Sequence, residues 1–267
     1  MGDLSGRSAV VTGASRGVGR GVALGLAEAG ATVYATGRTV SEDCFADSPP
    51  GGGRVVPLRC DHTDDGETEA VFERVADEQG RLDVLVNCAW GGYERMVEGG
   101  EFTWPRPFWE QPVWRWDSMF AAGVRAAYVA SRQAARLMVP AGSGLIVNVS
   151  FWAARKYVGN VAYGVSKAAT DKMTADMASE LRARGVAAVS LYPGLVRTEK
   201  VLEAAAFLDL SNSESPQFVG RAVAALAADP EVLNRSGQAL VAAALALEYG
   251  FKDVDGRQPR PLTLEEI

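Results

Sequence analysis

Short runs of β-branched and apolar residues alternate along the chain with longer stretches whose apolar positions recur every three or four residues. The first pattern predicts strands at 8–12, 32–36, 55–60, 84–87, 145–149 and 186–192. The second predicts helices at 17–29, 68–79, 117–139, 162–184 and 215–228. The order is βαβαβ, repeated. Crossovers of this kind are right-handed, so the pattern predicts an α/β fold: a doubly wound parallel sheet flanked by helices, with ligands beyond the carboxyl ends of the strands. The run Ser48-Pro49-Pro50-Gly51-Gly52-Gly53 reads as a surface loop, and nothing else breaks the pattern, so residues 1–267 read as a single domain. Two longer irregular stretches, 90–116 and 195–215, follow strand ends and read as loops on the substrate side.

Composition removes several classes of function. A net charge of −6 and no basic tract argue against nucleic acid. The most apolar stretch, 239–247, falls far short of a bilayer span, and residues 1–12 lack a signal-peptide core, so no membrane partner and a cytoplasmic location are expected. Cys44, Cys60 and Cys88 are far apart and predict free thiols. His62 is the single histidine, which excludes a His-rich metal site and leaves a Ser-His triad only if that residue serves.

Thr12-Gly13-Ala14-Ser15-Arg16-Gly17-Val18-Gly19 closes the first strand and opens the first helix. There, backbone N–H groups and the helix dipole receive a dinucleotide pyrophosphate, and glycines let the backbone come close. The second strand ends Thr36-Gly37-Arg38, without the carboxylate that would meet a ribose 2′-hydroxyl. Arg38, with Ser15 and Arg16, can instead bind a 2′-phosphate. The expected cofactor is NADP(H) rather than NAD(H).

Tyr163 and Lys167 lie four residues apart in a predicted helix, so their side chains share one face. A phenol is a poor base at neutral pH, but a neighbouring ammonium and a positive nicotinamide ring both favour its phenolate. Such a pair can exchange a proton with a substrate oxygen.

Thr12 to Gly19, Asn87-Cys88-Ala89, Tyr163-Gly164-Val165-Ser166-Lys167 and Pro193-Gly194-Leu195-Val196-Arg197-Thr198 together resemble the short-chain dehydrogenases/reductases, a Rossmann-type family. Pro107-Phe108-Trp109-Glu110 and Asp253-Val254-Asp255-Gly256-Arg257 look most like its subgroup called dehydrogenase/reductase family member 1. The resemblance implies that Gly13, Ser15, Arg16, Gly17, Val18, Gly19 and Arg38 contact the cofactor, with Asp61 on the adenine. It further implies that Asn87, Ala89, Pro193 and Gly194 line the cleft and that Val196 and Thr198 hold the carboxamide. Tyr163 and Lys167 would be catalytic, with Lys167 also on the nicotinamide ribose, and a homodimer or homotetramer would form through the helices at 117–139 and 162–184. Three departures stand out. Gly123 falls where the family carries an asparagine, and Trp90 where it carries a glycine. The family serine aligns with Ser150 by its distance from Tyr163 and with Phe151 by the strand; Ser150 is taken as the catalytic one.

Trp90, Tyr93, Phe102, Trp104, Phe108, Trp109 and Trp114 crowd the first loop, as a lid over an apolar substrate, as its internal packing, or as a subunit contact. The expected reaction is hydride transfer between a nicotinamide and the carbonyl or secondary alcohol of a fairly apolar small molecule. The rivals are a non-catalytic redox sensor that binds NADP(H), and an enzyme of the same fold without hydride transfer, as in dehalogenase or hydratase relatives.

Overall fold

The computed structural model describes residues 2–46 and 52–267, so the predicted loop at 48–53 lies largely outside the described residues. The amino-terminal half runs β1 (Ser8–Thr12), α1 (Gly17–Glu28), β2 (Thr32–Gly37), β3 (Arg54–Arg59), α2 (Asp65–Gln79) and β4 (Val84–Asn87). A two-stranded hairpin, β5 (Val97–Glu98) and β6 (Glu101–Phe102), then precedes α3 (Val113–Ser118), a π-helical turn Met119–Arg125 and α4 (Ala126–Ala141). The remainder is β7 (Gly144–Val149), α5 (Val161–Leu181), β8 (Val186–Tyr192), α6 (Glu199–Glu203), α7 (Pro216–Ala228), β9 (Ala239–Val241) and α8 (Ala242–Tyr249).

Seven strands pair in the order β3-β2-β1-β4-β7-β8-β9, all parallel. β1, β4 and β8 are buried at every position, as strands covered on both faces must be, which is why they read as largely apolar runs rather than as alternating ones. One face packs on α1, α7 and α8 through Val22, Leu26, Phe218, Val223 and Leu245. The other packs on α2, α4 and α5 through Phe72, Val75, Ala134, Met138 and Leu181. The order reverses between β1 and β4, with Thr12 beside Asn87, so a crevice opens beyond their carboxyl ends.

All six predicted strands are present to within a residue or so. The structure adds a seventh, because the apolar stretch 239–247 divides into β9 and most of α8. The helix predicted at 117–139 begins at Val113 and is interrupted by the π-helical turn. Among the described residues no helix is long and apolar enough to cross a membrane.

Candidate active site

The ends of β1 and β4 are pinned by one hydroxyl: Thr12 Oγ1 accepts from the N–H groups of Cys88 and Ala89, each at 3.0 Å. Gly13 then turns with φ +65°, and a Cβ on it would stand 2.6 Å from the Ala89 Cα, so no other residue fits. The Ala14 N–H donates to the Thr36 carbonyl at 2.8 Å, which ties the turn to β2. At the start of α1 the Gly17 N–H donates to Glu199 Oε2 at 3.0 Å, so a carboxylate of α6 rests on the positive end of the helix. Ser15 is half-buried and Val18 packs against the core, while Gly19 is fully enclosed.

Beyond β2 and β3 lies an open cleft of about 790 Å³ bordered by Arg38, Leu58, Arg59, Asp61, Glu67 and Arg74. Arg38 and Arg59 are exposed there and Arg16 is exposed before α1, and the side chains of all three make no hydrogen bond or ion pair among the described residues. The Asp61 carboxyl is held below its usual range by the Thr63 N–H and hydroxyl, at 3.0 and 2.8 Å, with Arg38 adding a smaller pull. Exposed guanidinium groups, a glycine-rich turn opening a helix and no carboxylate at the end of β2 are a donor set that fits the phosphates of a dinucleotide. Beneath this cleft the buried His62 is pushed down to about 4, chiefly by burial. Its Nε2 lies 2.7 Å from the Thr36 hydroxyl and its Nδ1 3.2 Å from the Thr68 hydroxyl, so both ring nitrogens have a hydrogen-bond partner.

On α5, Asn160 caps the helix by accepting the Tyr163 N–H at 3.0 Å and donates to the Trp104 carbonyl at 3.2 Å. This places Tyr163 and Lys167 one turn apart, both buried. Lys167 Nζ donates to the Val149 carbonyl at 3.0 Å and lies 5.6 Å above the Tyr163 ring. Burial draws Lys167 down to about 8, against the upward pull of Asp171 and Cys88. Burial also pushes Tyr163 well above the usual phenol value, with Tyr93 and their mutual hydrogen bond acting the same way. In the free protein, therefore, burial outweighs the help expected from the ammonium, and Tyr163 is a neutral phenol.

Ser150 is buried, and its Oγ donates to the Lys167 carbonyl at 3.4 Å, while the neighbouring Phe151 ring faces Tyr163 at 6.3 Å between centroids. Of the two positions weighed from the sequence, the phenylalanine faces the phenol. Asn87 Nδ2 donates to Asn148 Oδ1 at 2.8 Å and Ser131 Oγ at 3.0 Å, bracing β4 against β7 and α4. Pro193 is buried after β8, and the Gly194 N–H donates to the carboxyl of Glu214, which burial raises to about 7. Val196 is buried and bridges Glu214, and Thr198 caps α6 through the Val201 N–H at 3.3 Å.

The two departures at Trp90 and Gly123 meet in space: a Cβ on Gly123 would stand 2.7 and 2.8 Å from two ring carbons of Trp90. Sequence reasoning also missed Tyr93, hydrogen-bonded to Tyr163, and Trp104, whose ring lies 5.2 Å from the phenol ring. Their only signal was the crowding of aromatics in 90–116. That loop divides: Trp90, Tyr93 and Trp104 pack around Tyr163, whereas Phe108 and Trp109 remain exposed. Phe102 stacks on Phe207 at 5.6 Å, so the loops 90–116 and 195–215 touch. Arg115, 2% exposed, holds the first loop together through Gln111, Thr103 Oγ1 at 3.1 Å and the Trp104 and Trp114 rings.

A profile of the short chain dehydrogenase family matches residues 7–207. The chain is 47% identical to the dehydrogenase/reductase SDR family member 1 of Mus musculus, over 95% of this chain and 85% of that protein. It is 44% identical to the Homo sapiens protein of the same name, over the same shares. Among solved structures, a 7α-hydroxysteroid dehydrogenase complexed with NADH and 7-oxo glycochenodeoxycholic acid superposes with a TM-score of 0.75 at 26% identity, covering 90% of this chain and 93% of that one. A parallel sheet with a glycine-rich turn at its switch point, a buried Tyr163–Lys167 pair beside it and these similarities lead to one assignment: the chain belongs to the short-chain dehydrogenase family of oxidoreductases, which bind a nicotinamide cofactor.

Proposed function

We propose that the protein transfers a hydride between NADP(H) and a carbonyl or secondary alcohol of a fairly apolar small molecule, with Tyr163 giving and taking the proton. The observation that carries this reading is the buried phenol and ammonium one helical turn apart, beside the carboxyl ends of β4 and β7. When bound, the nicotinamide supplies or accepts the hydride. In reduction, the neutral Tyr163 phenol donates its proton to the carbonyl oxygen. The Lys167 ammonium then stabilises the phenolate and, with a pKa near 8, can return a proton at neutral pH. Ser150 carries the hydroxyl at the end of β7, and its 3.4 Å hydrogen bond is weak enough for a substrate oxygen to replace.

The turn Gly13, Ser15, Arg16, Gly17, Val18 and Gly19 would hold the pyrophosphate, and Arg38 the 2′-phosphate. Asp61 would take the adenine, Asn87, Ala89, Pro193 and Gly194 the cleft wall, and Val196 and Thr198 the carboxamide. The rings of Trp90, Tyr93, Trp104 and Phe151 around the phenol support an apolar substrate, as does the bile-acid ketone in the similar structure. That protein is complexed with NADH; here, Arg38, whose side chain makes no hydrogen bond or ion pair among the described residues, argues for the phosphorylated cofactor. Exposed Tyr128 on α4 and Val165 on α5 support association into a dimer or tetramer. Oxidation of NADPH in the presence of apolar ketones and aldehydes tests the reading; no consumption across a broad panel, in either direction, would reject it.

A further inference from the structure

We infer that Trp90 and Gly123 form one device that holds the Lys167 ammonium, the indole acting as the cation's second partner and the glycine making room for it. The inference rests on the roles proposed above for Tyr163 and Lys167. An ammonium has three N–H donors. Lys167 is only 6% exposed, and its one hydrogen bond among the described residues goes to the Val149 carbonyl. Over Nζ stands the Trp90 ring, 3.9 Å to the centroid. That lies well inside the roughly 6 Å range of cation–π attraction, which is strongest for a desolvated cation on an indole face. The titratable groups facing Nζ are Asp171 on α5, Cys88 after β4 and Tyr163, and Nζ hydrogen-bonds to none of them. The Asp171 carboxylate is itself engaged by the Tyr192 hydroxyl.

Trp90 can occupy this place only because residue 123 lacks a side chain: a Cβ there would overlap Cζ3 and Cε3 of the indole. Gly123 sits inside the π-helical turn Met119–Arg125, where a glycine is otherwise disfavoured. The close approach of the indole accounts for it. The same ring meets Tyr163 edge-on, at 5.8 Å and 87°, so one side chain positions both members of the pair. Trp90 is thus a positioning residue for Lys167.

The test compares Trp90→Phe, which keeps a π face, with Trp90→Leu, which does not, at similar volume. In NMR spectra of the cofactor-free protein, one of the five lysine ε-methylene signals should be shifted upfield by the indole and should disappear in Lys167→Met. The shift should persist in Trp90→Phe and collapse in Trp90→Leu, with the Lys167 titration midpoint about one pH unit lower in the leucine variant than in the phenylalanine one. Gly123→Ala, which adds one methyl and favours helix, should displace the indole and also lose the shift; this variant keeps the test alive if the Trp90 variants misfold. In turnover, kcat should be about tenfold lower in Trp90→Leu than in Trp90→Phe, with KM for NADPH little changed. Identical lysine signals and midpoints in the two Trp90 variants overturn the inference. If the lysine behaves as expected but the wild type oxidises no NADPH with any carbonyl, the proposed function fails while the holding of Lys167 stands.

Discussion

Tyr163 owes its protonation state to burial more than to the charge beside it, and that suits an acid in carbonyl reduction better than a resting base. Its pairing with Lys167 was legible in the sequence because a four-residue spacing in a helix leaves little geometric freedom. The choice between Ser150 and Phe151 was not, because successive side chains at a strand end point to opposite faces and a shift of one residue exchanges them. Nor could Trp90 be paired with Gly123 from sequence, since they lie on separate elements and meet only after α3 and α4 dock. Arg38 is the residue on which cofactor choice turns. Replacing it with Asp should remove the attraction for a 2′-phosphate and move the kcat/KM preference from NADPH toward NADH by tenfold or more, about 1.4 kcal/mol for each factor of ten. Unchanged preference in steady-state kinetics would assign the 2′ end to other residues.

At the scale of elements, helices and strands with clean periodicity were predicted nearly in place, while β9 and the π-helical turn were not. β9 is three residues long and runs directly into α8, so its apolar signal merges with that of the helix. The π-helical turn has no periodic signature that distinguishes it from α3 and α4. Short α6 matters because of where it rests: Glu199 holds the Gly17 N–H at the start of α1, the position proposed for the cofactor's pyrophosphate. A carboxylate there competes with any incoming anion. Glu199→Gln should therefore tighten NADPH binding about two- to fivefold, the worth of one charge at a helix N-terminus. Binding of adenosine 2′-phosphate, which does not extend to Gly17, should stay the same. Titration by fluorescence or calorimetry measures both, and equal NADPH affinity in wild type and variant would remove Glu199 from the cofactor's path.

For the molecule as a whole, the alternation of strand and helix fixed the sheet, and the sheet fixed the crevice, because the strand order reverses between β1 and β4. What the pattern could not carry was the arrangement of the two loops over that crevice, where aromatic contacts such as Phe102 on Phe207 and the buried Arg115 replace periodicity. One buried group also ties the stability of the whole fold to pH. His62 is neutral in the folded protein down to about pH 4 but titrates near 6.5 when unfolded. Between those values the unfolded chain binds the extra proton, so the contribution of His62 to stability falls as pH falls through this window, by up to roughly 3 kcal/mol at 1.4 kcal/mol per unit, while Glu214, raised to about 7 by burial, acts in the opposite direction. In urea denaturation the wild type should lose more, or gain less, stability on going from neutral pH to pH 4 than His62→Gln does, each measured relative to its own stability at neutral pH. Parallel pH curves for the two proteins would show that His62 is not the group responsible.

The most direct test of the central claim follows the hydride and the proton donor together. Wild-type protein given NADPH deuterated at the transferable position should yield an alcohol carrying carbon-bound deuterium. Tyr163→Phe should bind NADPH with nearly the same Kd and form that product at least 10²-fold more slowly. An alcohol without deuterium, or a Tyr163→Phe variant that reduces the carbonyl at the wild-type rate, would contradict the account.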